Sequence, residues 1–557
     1  MNSARDVRSW PVAALLLSVL LGGCGEQRYR RFQPDREALR RVERLDLEAM
    51  SAPASGLGEP NLPPAAALAE RTLTLEECRG FALAHSLDLK VQLLNPTIAR
   101  QAITQEEARF EALFTVDSTW SKTDQPVSLA LDASQADYFR ANPGVALPLR
   151  TGGSVRVEAP LSRTETNSIF SLLNPAYTSD AAVSISQPLL RNAGVQANTT
   201  AIQIARYQTD LTEAQTKLQV ISLLYGVDAV YWRLYAARRA LDVVRQDHDL
   251  AVALREQAQR KVAAGTAAEI EVISAEAGVA ERTEAIIVAE NAVRERQREL
   301  KRVLNVPHLP LSGATRLIPG TPPSPRRYRL DADRLVACGL QQRMELLEIE
   351  LQLAQDRSTI DYRRNQVLPL LSLSYSYNVN GLGRRYGDAL AVLDDWRFTD
   401  HFAGLRLEVP LGNQAAQSQL RQAIYTHLQR LTTRQQRELA IEQEVRNAAD
   451  NVEAAWQRIL ASRQSALLAG RNLAAEQRQF AMGLRTATDV LNAQSRLANA
   501  QLAEIRALTD YEVSLADLAL ATGTTLGAAH VRWATAEPPA VVPNATRPMG
   551  DTYPQGH

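Results

Sequence analysis

Two acids stand at matching places in the chain: Glu271 in "EIEVISAE" and Asp489 in "ATDVLNAQ", 218 residues apart. Each follows a glycine by six residues, Gly265 in one case and Gly483 in the other. Carboxylates set in register by a repeat can converge on one axis and hold cations. They can equally be plain helix-start acids, where the helix dipole favours negative charge. No other constellation points to chemistry. The seven His residues do not cluster at metal-ligand spacing, and neither a P-loop nor a G-x-S-x-G elbow occurs. The residues therefore predict no enzyme, no catalytic group, no metal and no cofactor.

A third candidate is Cys24. Arg5 and Arg8 precede an apolar run from Val12 to Leu21, too short to span a bilayer, and the run ends in "LLGGC". That order resembles a bacterial lipobox, which implies removal of residues 1–23 and acylation of Cys24. Gly25 rather than Asp follows the cysteine, which implies sorting to an outer membrane. Two cysteines remain, Cys78 and Cys338, both in helical patterns. They read as small packed residues rather than a disulfide framework. The 62 basic and 62 acidic residues balance, so no nucleic-acid-binding surface is indicated.

The elements that must position the acids are long helices. No proline lies between Pro188 and Pro307, or between Pro410 and Pro538. Within these stretches Leu211, Ala214, Leu218, Ile221 and Tyr225 follow a 3-4 apolar spacing, as do Val445, Ala448, Val452, Ala455 and Ile459. This is the seam of a coiled coil. Each stretch is interrupted once, at Gly265–Thr266 and at Gly483–Leu484, which predicts two antiparallel hairpins with glycine turns. About 70 residues before each turn give arms on the order of 100 Å.

The plan is written twice. "ALAHSLDLKVQLL" (82–94) resembles "GLQQRMELLEIEL" (339–351) at an offset of 257, and Pro188 and Pro410 are 222 apart. Each unit reads as helix, strand region, long helix, turn and returning helix, with Pro96 kinking the first helix. A Pro-rich join covers 306–330, and residues 25–70 and 531–557 read as irregular. The boundaries are 1–23 signal peptide, 24–70 linker, 71–305 first repeat, 306–330 join, 331–530 second repeat and 531–557 tail.

The strand regions alternate with period two. Leu371, Leu373, Tyr375 and Tyr377 alternate with Ser372, Ser374, Ser376 and Asn378. Phe114, Val116 and Trp120, then Val183 and Ile185, then Leu405, Leu407 and Val409 do the same against polar neighbours. After the signal no run of 18 apolar residues occurs, so any membrane crossing is by a barrel. Two such short regions are not expected to make a stable sheet within one chain. The "GLGRRYG" loop (381–387) lacks dinucleotide-fingerprint spacing and reads as a hairpin loop that opens no helix. The first strand region carries 35 extra residues, including "VALPLRTGGSVRVEA" (145–159), which reads as strand, Gly turn, strand.

The duplicated layout, the "TDVLNAQ" phrase (488–494), the "SQPLLR" strand exit (186–191) and the lipobox together resemble the TolC-like outer-membrane efflux proteins, from about 70 to 530. The resemblance implies a mainly α fold with membrane β: a trimeric outer-membrane β-barrel continued by a periplasmic α-helical coiled-coil barrel. It implies a lipid-anchored exit duct of a tripartite efflux or type I secretion system in the outer membrane of a Gram-negative-type bacterium. The implied partners are two further copies of the chain, a periplasmic adaptor, an inner-membrane pump and outer-membrane lipid. Gly265, Thr266, Gly483 and Leu484 would form the adaptor-docking tip. Asp489 matches an acid that lines the closed constriction in that family, with Glu271 close by; Asn492 stands where a second acid is often found. The extra segment around 122–160 leaves open twelve or eighteen barrel strands per trimer, or an outer loop. The alternative reading is a non-conducting structural or adhesive lipoprotein.

Overall fold

The computed structural model describes residues 70–127 and 133–532. Cys24, the signal peptide, most of the first linker and nearly all of the tail lie outside the described residues. The described chain opens with strand β1 (Glu70–Leu73) and helices α1 (Leu75–His85) and α2 (Leu87–Glu107). Strands β2 (Leu113–Asp124), β3 (Gln135–Pro148), β4 (Ser154–Glu158), β5 (Leu161–Thr166) and β6 (Ala176–Pro188) follow. The long helix α3 (Val195–Ala263) and its return α4 (Glu269–Leu304) complete the first repeat, and β7 (Arg316–Pro319) lies in the join. The second repeat holds α5 (Ala332–Gln342), α6 (Met344–Gln366), β8 (Leu370–Gly383), α7 (Tyr386–Asp394) and β9 (Thr399–Glu408). It ends with α8 (Gln414–Ala481) and α9 (Ala487–Ala521), before a single turn, α10 (Thr525–Ala528).

The duplication is kept in three dimensions. Helices begin at Leu75 and Ala332, and break at Ser86 and Arg343, at the expected offset of 257. The break at Ser86 corrects the single helix expected there: its side chain accepts from Leu89 N at 3.3 Å and starts a new helix. That new helix runs through Pro96, which removes one amide donor to the Gln92 carbonyl. The Thr216 hydroxyl of α3 stands 3.5 Å from that carbonyl.

α3 packs against α4 and α8 against α9, while α9 also lies along α3. The hairpins are thus the two expected, and α3 and α8 span 69 and 68 residues. At about 1.5 Å per residue each is roughly 100 Å long. All five seam residues from Val445 to Ile459 are buried. In the first repeat Leu211, Ala214 and Ile221 are buried, with Leu218 and Tyr225 half-buried. The small and branched side chains that dominate this stripe let the helices approach closely.

The join carries a strand of its own. β7 pairs in parallel with β1, placing Glu70 opposite Arg316, so Glu70 belongs to a strand rather than to the linker. Leu73, Cys78, Tyr231, Trp232, Leu300 and Leu317 form one buried cluster around this pair. The Thr321 amide donates to the Tyr231 hydroxyl at 2.7 Å, and Arg79 grips Asp228 through two bonds of 2.7 and 2.6 Å. Burial pushes the Cys78 thiol up to about 12, as suits a packed rather than reactive cysteine.

The two strand regions pair with each other through β6 and β8, so a sheet does form within one chain, against the expectation. Its order is β2-β3-β4-β6-β8-β9, with β5 between β3 and β6. β4 and β5 are one strand interrupted at Ala159–Pro160. Val157 faces Val145 and Arg163 faces Phe139, a single unbroken register, and Ala159 N still donates to Pro143 O at 2.9 Å. Pro160 has no amide to give, which accounts for the interruption. The extra hairpin therefore lies inside the sheet, giving six strand positions in the chain. The sheet is open: β2 and β9 are its edges.

Candidate functional site

The faces of the sheet follow from its register. Phe114, Val145, Val157, Val183 and Tyr377 lie side by side across five strands. One row on, Leu147, Val155, Ile185, Tyr375 and Ala403 repeat the pattern. The opposite face carries Thr115, Gly144, Glu158, Ala182, Asn378 and Asp400 in one row, and Ser154, Ser186 and Ser374 in another. One face is thus suited to hydrocarbon and the other to water. Tyr177 and Tyr386 pack edge to face at 4.7 Å at the end of the sheet farthest from the long helices, and Tyr377 stands 6.1 Å from Trp396 nearer its middle. Such aromatics suit a membrane interface.

Helix α7 corrects the loop expected at 381–387: the segment opens a nine-residue helix that packs back on β8 and β6. Gly381 makes this possible, because a Cβ there would stand 2.1 Å from the Ala389 carbonyl oxygen. The sheet is antiparallel around it, so the glycines still do not form a dinucleotide turn. Among the described residues no helix is long and apolar enough to cross a membrane.

At the other end stand the two turns, as the glycine spacing predicts. Gly265 and Gly483 adopt φ of 71° and 79°. Thr266 N donates to Lys261 O at 2.9 Å and Gly265 N to Val262 O at 2.9 Å. Leu484 N to Gln479 O and Gly483 N to Phe480 O repeat the pattern at 3.0 Å each. Both are Schellman closures, which need a left-handed residue after the helix. No atom lies within 4 Å of where a Cβ would stand at either glycine, so conformation alone selects the residue. The Lys261 ammonium bonds the Phe480 carbonyl and sits 4.0 Å from the Phe480 ring centre, tying one turn to the other. Met482 and Leu484 are exposed beyond them, at 67% and 71%.

Both candidate acids serve the start of α9. Thr486 and Asp489 form a reciprocal cap: Asp489 N donates to Thr486 Oγ1 at 3.3 Å, and Asp489 Oδ2 accepts from Thr486 N at 3.0 Å. The backbone and hydroxyl bonds from Thr486 hold the Asp489 carboxyl below its ordinary value. The equivalent of Thr486 in the first repeat is Ala268, which offers no side-chain cap. Glu271 is accordingly free to reach across, and accepts from Ala487 N of α9 at 2.5 Å. The acids 218 residues apart thus meet at one helix N-terminus, each satisfying an amide that has no intrahelical partner. Asn492, one turn later, is exposed.

Deeper in the hairpins lies a buried ionic link that the sequence reading missed. Arg282 of α4 is 5% exposed and forms an ion pair with Asp247 of α3, Nε to Oδ2 at 2.9 Å. Its other nitrogens donate to Gly278 O at 3.1 Å, and across to α9 at Leu491 O, 3.2 Å, and Ser495 Oγ, 2.9 Å. Burial pushes the Asp247 carboxyl up, and Arg282 opposes that shift. An arginine at the 3-4 position after Ala275 and Gly278 was the available clue.

A sheet with one dry and one wet face, continued by two helical hairpins of roughly 100 Å, is the architecture of an outer-membrane channel. Residues 338–524 match the family model described as outer membrane efflux protein. The chain is 25% identical over 347 residues to outer membrane protein TolC of Vibrio cholerae, covering 62% of this chain and 76% of that one. A membrane protein from Pseudomonas aeruginosa has the same fold, with a TM-score of 0.61 at 17% identity over 81% of this chain and 93% of that one. The Campylobacter jejuni CmeC outer membrane channel does too, with a TM-score of 0.59 at 13% identity over 81% of this chain and 86% of the other. The chain is thus similar to the outer-membrane efflux proteins in the sequence of its second repeat, and shares its fold with the solved channels.

Proposed function

We propose that three copies of this chain close one barrel in the outer membrane and form the exit duct of a tripartite efflux or type I secretion system. The observation that carries the reading is the pair of bare sheet edges. Every residue of β2 is exposed, and so is all but one of β9, including Phe114, Trp120, Leu405 and Leu407. Exposed apolar edges of this length are hazards unless another strand covers them. β2 runs away from the helices and β9 back towards them, so β9 of one copy can pair antiparallel with β2 of the next. Cys24, as an acylated first residue, would add a lipid anchor to the barrel.

The tip around Gly265, Thr266, Gly483 and Leu484 is the proposed docking point for a periplasmic adaptor joined to an inner-membrane pump. Exposed Met482 and Leu484 offer it apolar contacts. Three copies would bring three Asp489 carboxylates, with Asn492 and Glu271 beside them, around the axis. Such a ring of carboxylates favours cations at the constriction. The test is single-channel recording of the purified full chain in planar bilayers. Discrete cation-selective openings are expected. A silent, detergent-stable oligomer would overturn the duct in favour of a structural role.

A further inference from the structure

Between α3, α4 and the join lies a cavity of about 430 Å³ whose charge is unbalanced. Six cations line it, Arg238, Arg245, Arg294, Arg298, Lys301 and Arg316, against two carboxylates, Asp242 and Glu290. Glu290 is engaged by Arg245 at 2.7 Å, and Asp242 is shared with Arg239 outside the cavity at 3.6 Å. Arg294, Arg298 and Arg316 have no side-chain partner among the described residues.

Lys301 is the more telling residue. It is 5% exposed, yet among the described residues its ammonium bonds only the Gly313 carbonyl, at 2.7 Å. A buried ammonium without a carboxylate is costly, and burial depresses its proton affinity. Arg238 donates to Leu317 O at 2.7 Å; burial lowers it, and the charges of Arg316 and Arg245 add to that, against the opposing pull of Glu70 and Asp242. The fold thus holds like charges together around an open volume, an arrangement that an anion would relieve.

We propose that this cavity is a binding site for a small polyvalent oxyanion bearing phosphate or carboxylate groups. The guanidinium groups of Arg294, Arg298 and Arg316 would supply the paired donors that such groups accept, and Lys301 a point charge at the floor. The volume holds a ligand of pyrophosphate or tricarboxylate size. The site lies 20 residues or more, roughly 30 Å or more along α3, from the tip turn, so occupancy would act on the join between repeats rather than on the constriction.

The experiment is isothermal titration of the full-length protein in detergent with pyrophosphate and, separately, citrate, each against potassium chloride at matched ionic strength. Saturable binding is expected for at least one oxyanion. Arg298→Glu and Arg316→Glu should each weaken it at least tenfold, while Arg471→Glu, an equal charge change on α8, leaves it intact. Binding to pyrophosphate alone or citrate alone identifies the source as phosphate or carboxylate. Heats no larger than those of matched salt, or equal losses in the Arg471→Glu control, would overturn the site. So would oligomer dissociation in Arg298→Glu with no oxyanion binding to the parent, since a neighbouring copy's acid then fills the cavity.

Discussion

Replacing Arg282 by Met should loosen α9 from the rest of the hairpins. The variant removes three hydrogen bonds and one ion pair, and leaves Asp247, with a side chain 14% exposed, as an unmatched buried charge. Breaking one side of a buried pair costs about 3–5 kcal/mol. Asp247 sets the pH dependence. Its folded value already stands above the ordinary one, so its contribution is fully present below the unfolded value and is lost as pH rises through the folded value. Without Arg282 that folded value climbs further, so the penalty should be largest near neutrality and shrink on acidification. Arg282→Met with Asp247→Leu should recover most of the loss, because an apolar pair of similar size replaces an ionic one. The assay is urea unfolding followed by helix content, at neutral and mildly acidic pH, for the two variants and the parent. A loss under about 1 kcal/mol, or a double variant no better than the single one, would refute the reasoning.

Gly265→Ala and Gly483→Ala should each cost about 1 kcal/mol at the tip, because φ near 70–80° disfavours a β-carbon. Amide exchange confined to the turns would register it. Burial pushes the Glu345 carboxyl up, but Arg343 and Arg437 outweigh burial and hold it at about 2. Its contribution, about 3 kcal/mol, should be present above 4.5 and fade between 4.5 and about 2, and Glu345→Gln should flatten that part of the acid titration. Asp489→Ala should raise resting conductance and weaken block by divalent cations; bilayer recordings of the variant identical to the parent would remove the carboxylate ring.

The parts legible in the sequence were those with long-range period or register. Proline-free seams gave the hairpins, and the offset of 218 located both Schellman turns at Gly265 and Gly483. Period-two alternation assigned the two faces of the sheet, and the 35 extra residues flagged the added hairpin without revealing that it enters the sheet. What escaped was short or set by distant contacts. β1 and β7 are four residues each and exist only because they pair with each other across the chain. α7 forms on a glycine-containing segment because it can rest against Gly381 and Gly383. The roles of Glu271 and Arg282 depend on α9 lying against α3 and α4, a packing no local pattern encodes.

The central claim is that the six strand positions of one chain form a third of a closed barrel. Electron cryomicroscopy of the full-length protein in lipid nanodiscs, at a resolution that separates strands, tests it most directly. The account predicts three copies and eighteen strands, with β9 of each copy hydrogen-bonded to β2 of the next and the hairpin of β3, β4 and β5 within the wall. A twelve-stranded wall with that hairpin lying outside it, or β2 and β9 left unpaired, would contradict it.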